Sequence, residues 1–170
     1  MRLTIEQLNT LDRAGFTRLI GPVFEHSPWI AESTWPQRPF ATVEQLHAAL
    51  CQTVRAASPE QKLALIRAHP DLVGRAALAG TLTRESTGEQ ASAGLNALSP
   101  EEIALFQKQN AAYRAKFDFP FVICARLNKT EAILTGFEKR LQNSPAQEMQ
   151  TALEEIFKIA ELRLRDLTQP

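Results

Sequence analysis

Charge of one sign, clustered cysteine, glycine-rich motifs and long apolar runs are all missing from this chain, and each absence removes a class of function. Nineteen Lys and Arg balance nineteen Asp and Glu, so no overall field draws nucleic acid or an anionic membrane, and neither is expected as a partner. No apolar run approaches the roughly twenty residues that cross a bilayer. Glu6 interrupts the opening MRLTIEQLNT where a signal core would begin, and the closing LTQP carries no peroxisomal tripeptide, so a cytoplasmic setting is expected. The two cysteines, Cys51 and Cys124, are too few for a disulfide framework. His26, His47 and His69 show no H-x-x-x-H pattern, and no C-x-x-C accompanies them, so no metal is expected. The seven glycines are scattered and build no phosphate loop.

What remains is helical punctuation. Ser58-Pro59-Glu60-Gln61, Ser99-Pro100-Glu101-Glu102 and Ser144-Pro145-Ala146-Gln147 follow one formula: a capping serine, a proline suited to the first turn, then Glu or Gln three residues after the serine. Each precedes an apolar stripe at helical spacing, such as Ile103, Phe106, Asn110, Tyr113 and Phe117 after the second and Met149, Leu153, Ile156, Ala160, Leu164 and Leu167 after the third. Further helices are expected over 43–56 and 130–141, with shorter ones in the first thirty-five residues, where Pro22, Pro28 and the adjoining Pro36 break the chain. The segment Phe119-Pro120-Phe121-Val122-Ile123-Cys124-Ala125 reads otherwise. It is short and apolar, Pro120 argues against a central strand, and no second strand exists to pair with it. A buried extended segment is expected there, its N–H groups needing partners other than a ladder. The whole reads as all-α: one domain over 1–170, a bundle of about eight helices.

Three features could carry chemistry. In RAHPDL, residues 67–72, the following proline pushes His69 out of the α region, so the imidazole leaves the helix end. A histidine there serves as a helix-end partner for the dipole, a metal ligand or an acid/base. Ser86, Glu89 and Gln90 fall on one helical face, although Ser86-x-x-Glu89 equally spells a capping box. On the last helix Arg163 lies between Ile156 and Ile159 at the edge of the apolar stripe, while Arg165 faces the wet side. A buried guanidinium needs a core carboxylate or an oxygen-rich ligand, and these two readings stand level. A thiol hydrolase built on Cys124 and His69 has no local signature, and a catalytically silent helical module stands as a third class.

The stretches HPDLVGRAALAGTLTRESTGEQASAGL, NAAYRAKFDFPFVICA, ILTGFEKRLQNSPAQE and EIFKIAELRLRDL resemble the 2-oxo-4-hydroxy-4-carboxy-5-ureidoimidazoline (OHCU) decarboxylases of urate breakdown. The likeness reaches back to EHSPWIAES and RPF, and its one departure is Asp118, where that family has glycine. The resemblance implies an all-helical homodimer without metal or organic cofactor, acting on OHCU to give allantoin. It implies His69 as acid/base with Glu89 as carboxylate partner. Pro70, Ser86, Glu89, Gln90 and Arg163 then match substrate contacts, and Phe121, Val122, Ile123, Cys124 and Ala125 a stretch whose backbone meets the substrate.

Overall fold

The computed structural model describes residues 2–169, and it is all-α. Among the described residues ten α-helices run in order: α1 (Ile5–Thr10), α2 (Arg13–Ile20), α3 (Trp29–Thr34), α4 (Val43–Ala56), α5 (Pro59–Arg67), α6 (Arg75–Leu78), α7 (Arg84–Ser92), α8 (Pro100–Phe117), α9 (Thr130–Arg140) and α10 (Pro145–Leu167). The count exceeds the expected eight because pieces such as α6 are too short to carry a periodic stripe. Among the described residues there is no strand, only an isolated bridge between Leu3 and Thr168. Among the described residues no helix is long and apolar enough to cross a membrane.

All three serine formulas close as capping boxes, at Ser58, Ser99 and Ser144. In the first turns, Glu60 and Glu101 are held below the usual carboxylate range, first by backbone N–H groups and then by the capping hydroxyls.

The chain forms two compact units. The first comprises residues up to Ala68 together with those from Phe157 onward. There α3 packs against α2 and α4 around Phe16, Ile20, Ile30, Leu46, Leu50 and Val54, all buried. The Arg38 guanidinium stacks 4.0 Å from the Trp35 ring and donates to the carbonyls of Asn9 and Leu11 at 2.7 Å.

The second unit, His69–Ile156, is organised by the extended segment. Residues 119–124 are non-helical as expected, while Ala125 already opens the 3-10 turn Ala125–Leu127. Phe121 stacks on Phe137 of α9 with ring centroids 3.8 Å apart. Side chains replace the missing ladder. Arg140 donates from Nη1 to the Val122 carbonyl at 2.6 Å, Glu155 accepts the Cys124 N–H at 2.8 Å, and the Asn128 amide donates to the Cys124 carbonyl at 2.9 Å. Upstream, α8 ends at Asp118 with φ 61, the left-handed cap position that glycine takes most freely and that Asp tolerates better than most residues.

Arg140 is itself held by Glu148, which is fully buried on α10. Its Nε lies 3.0 and 3.2 Å from the two carboxylate oxygens and its Nη2 lies 2.9 Å from one of them. The Asn143 amide adds a bond at 2.8 Å, and the Tyr113 hydroxyl donates to the same carboxylate. Burial first, then the hydrogen bond to Glu148, pushes the Tyr113 phenol far above its ordinary value, against the opposing pull of Arg140.

The raised phenol gives a pH prediction. Its stabilising contribution is fully present below about pH 10, the ordinary tyrosine value, and is lost as pH rises through the higher folded value. Tyr113 is the sole tyrosine, so phenolate absorbance reports this group alone. At about pH 11, where a free tyrosine is mostly ionised, the folded protein should show no phenolate band, and the band should appear together with loss of helical circular dichroism. A phenolate band in fully helical protein near that pH would contradict the buried bond.

Candidate active site

α5 ends with Ala68 as its C-cap in helical conformation, and His69 follows as the first non-helical residue, buried at 6% exposure. Pro70 beside it is half-buried. The backbone expected of RAHPDL is therefore present: His69 lies past the helix end and is buried.

α7 differs from expectation at its start. Its cap is Thr83, whose hydroxyl accepts the Ser86 N–H at 3.2 Å, so Ser86 is already three residues into the helix. The Ser86-x-x-Glu89 capping box does not form, because Ser86 lies inside the helix rather than at its non-helical cap position. Ser86 and Gln90 are buried and Glu89 is half-buried, one face of a short helix. That face is polar yet largely shut away from solvent, which a surface helix has no reason to be.

Two contacts join α7 to the other expected site segments. Gln90 accepts the Val73 N–H at 3.1 Å and donates to the Asp71 carbonyl at 3.4 Å, tying α7 to the turn that begins at His69-Pro70. α7 also packs against the 3-10 turn that starts at Ala125. Phe121, Val122, Cys124 and Ala125 are buried and Ile123 half-buried. The Cys124 thiol, at 1% exposure, is closed to solvent, a poor setting for a hydrolase nucleophile. Among the described residues no group of three or more His, Cys, Asp or Glu side chains is placed to hold a metal.

Arg163 belongs to the first unit, where it is buried and has a carboxylate. Its Nη1 lies 2.9 Å from Glu25 Oε2 and donates to the Pro22 carbonyl at 3.2 Å. Glu25 is as deeply buried as its partner. Of the two readings left level by the sequence, the core carboxylate is thus present. The sequence had no means of naming it, since Glu25 lies at the far end of the chain. Glu155 and Glu148, which secure the extended segment, also went unnamed, although Glu148 shares the buried face of α10 with Ala152 and Ile156. A carboxylate on an apolar face was the available signal.

An all-α protein in which buried polar side chains, most of them on helices, hold irregular backbone segments is the class that this geometry defines. The family model for OHCU decarboxylase matches residues 9–165. A decarboxylase of that name from Halalkalicoccus jeotgali is 44% identical over 169 residues, covering 99% of this chain and 94% of the relative. One from Amia calva is 42% identical over 167 residues, covering 98% and 95%. The crystal structure of (S)-allantoin synthase superimposes with TM-score 0.80 at 30% identity, covering 98% of this chain and 54% of that one. A crystal structure of OHCU decarboxylase in the presence of (S)-allantoin, at 23% identity and TM-score 0.67, shares the fold over 82% of this chain and 89% of its own. This chain belongs to the OHCU decarboxylase family and is a decarboxylase, a carboxy-lyase.

The Arg163–Glu25 pair generates a prediction. Arg163→Met leaves a buried carboxylate without its guanidinium and should cost about 3–5 kcal/mol of stability. Urea unfolding followed by the fluorescence of Trp29 and Trp35 measures it. Adding Glu25→Leu should recover most of the loss, since an apolar pair of similar volume removes the stranded charge. A single variant within about 1 kcal/mol of wild type would show that the pair is not what stabilises this region.

Proposed function

We propose that this protein decarboxylates OHCU to (S)-allantoin in urate degradation, with His69 as acid/base and Glu89 as its carboxylate partner. The observation that carries the reading is the link from α7 to the His69 turn. Gln90 neighbours Glu89 on a buried polar face and bonds directly to the backbone that follows His69-Pro70. The family membership supplies the substrate. A uric acid degradation bifunctional protein from Bacillus sp. (strain TB-90), 38% identical over 168 residues, matches 97% of this chain with 32% of its own length and supports the same metabolic setting. The family match runs through both compact units, which supports reading residues 1–170 as one functional domain. We propose further that it works in the cytoplasm as a homodimer, which the resemblance implies and sedimentation would test.

The reaction asks little of the protein in electronic terms. The carboxylate leaves from C4, and the electron pair of the breaking C–C bond forms a C4=C5 double bond. The electrons of the former C5=N bond move onto nitrogen, which takes a proton. The resulting enol becomes allantoin when the C4 hydroxyl proton departs and C5 is protonated on one face. The substrate is its own electron sink, a task that many decarboxylases give to an organic cofactor. His69 suits both proton movements, because an imidazole ordinarily titrates near neutrality. Accepting the hydroxyl proton and delivering one to a single face of C5 would account for a chiral product. Glu89 would fix the tautomer and stabilise the imidazolium, the part a carboxylate plays in hydrolase triads. Pro70, Ser86, Gln90 and the 121–125 backbone would line the substrate, which presents ureido and ring amides in need of hydrogen bonds.

Generating OHCU in situ from urate and following circular dichroism tests the activity: the protein should accelerate appearance of one allantoin enantiomer, without added metal and in the presence of chelator. Racemic product at an unchanged rate sinks the proposal. Glu89→Gln should keep the fold and lose roughly two orders of magnitude in rate, since an amide can orient His69 but cannot stabilise its cation. A variant within about twofold of wild type would remove Glu89 from the chemistry.

A further inference from the structure

Past His69-Pro70 the chain reverses through Asp71-Leu72-Val73-Gly74, closed by a bond from the Gly74 N–H to the Asp71 carbonyl at 3.3 Å. Gly74 permits the closure, because a Cβ there would lie 2.6 Å from the Asp71 Cβ. The third position of the turn is Val73, with φ 53. Glycine or asparagine normally fills such a position, and a β-branched side chain is an outlier in this region. A conformation of this kind persists only where its surroundings enforce it.

Two side-chain amides do the enforcing. Gln90 takes the Asp71 carbonyl and the Val73 N–H from α7, and Asn110 donates from α8 to the Leu72 carbonyl at 2.8 Å. Three successive residues are thus gripped through their backbone. Arg114, one turn further along α8, adds a two-oxygen contact to the Asp71 carboxylate at 2.9 and 3.0 Å.

Asn110 is otherwise hard to account for. It occupies the apolar stripe of α8 between Phe106 and Tyr113 at 6% exposure, and its Oδ1 has no hydrogen-bond partner among the described residues. A buried acceptor left in that condition is destabilising, so stability alone would favour an apolar side chain. What the position gains from asparagine is the donor to Leu72.

We infer that Asn110 is a positioning residue for His69: by fixing the Leu72 carbonyl it maintains the strained Val73 turn and so the imidazole three residues upstream. The inference rests on the decarboxylase reading above for its consequence in catalysis, and on the turn geometry alone for its consequence in the unliganded protein.

Asn110→Leu in the full chain tests it on both counts. Because the change alters the placement of an acid/base and no substrate contact, kcat should fall about tenfold to a hundredfold while KM stays within about twofold. The melting temperature should move by less than about 3 °C, the lost donor being offset by removal of the orphan acceptor. In the unliganded protein the His69 imidazole resonance, assigned by its loss in His69→Gln, should shift while those of His26 and His47 stay in place. Asn110→Ala, which forces no bulk into the stripe, should give the same kcat loss and the same His69 shift. A kcat within about twofold of wild type, or an unmoved His69 resonance, overturns the inference. Should the wild-type protein be inactive on OHCU, the decarboxylase reading falls by itself, and the His69 resonance in Asn110→Leu still decides the positioning role.

Discussion

The ion pair of Arg140 and Glu148 is the constraint on which the second unit depends. Withdrawing two charges from water costs several kcal/mol each, and their attraction offsets this only where the remaining donors and acceptors are also satisfied. Here they are. Glu148 accepts from Arg140, Asn143 and Tyr113, and Arg140 spends a further N–H on the Val122 carbonyl. That last bond converts an electrostatic cluster into a backbone clamp. With Val122 fixed, Phe121 lies against Phe137 and 4.3 Å beneath the guanidinium, and the Cys124 N–H meets Glu155. A helical protein can bury an extended segment only if something replaces the absent ladder, and charged side chains replace it here.

The turn after His69 is built by the same device with neutral groups. Amides from α7 and α8 hold the Asp71, Leu72 and Val73 backbone, and the strain at Val73 measures how firmly. These two irregular stretches of the second unit are thereby fixed by side chains projecting from helices. Pre-arranged polar backbone is what the proposed reaction, limited by orientation and proton delivery, would require.

The regular parts of this architecture were legible because their signals are local. A serine, a proline and a Glu or Gln within four residues name a helix start without reference to anything distant, and α4, α5, α8, α9 and α10 begin where that reasoning or the apolar stripe places them. The extended segment was legible for the complementary reason, that Pro120 and the lack of a pairing strand left no regular alternative. At Ser86 a helical face and a capping box were both open, and the fold decides for the face, because Thr83 takes the N-terminus of α7. Glu25, Glu155 and the Gln90 contacts were not legible at all. Each joins residues distant in sequence, and no periodicity encodes a partner. The strain at Val73 was equally hidden, because valine is the residue that local propensity would least assign to a left-handed turn.

These failures share a direction. Sequence patterns describe positions where local preference and fold agree, and around the irregular segments the two part: valine in a glycine conformation, asparagine and glutamate in apolar stripes, a histidine followed by proline and buried inside the protein. Each carries a local cost that the surrounding helices must cover. α8 illustrates the arrangement within one helix. Phe106 and Phe117 on its buried face supply packing, Tyr113 between them serves the Glu148 cluster, and Asn110 on the same face gives up a packed methyl group to reach the Leu72 carbonyl. On the proposed reaction, whose substrate carries its own electron sink, the protein's work would reduce to placing one proton carrier and a few hydrogen-bonding groups. Departures from the helical pattern are then informative in themselves, because they mark the positions where stability was set against geometry and geometry prevailed.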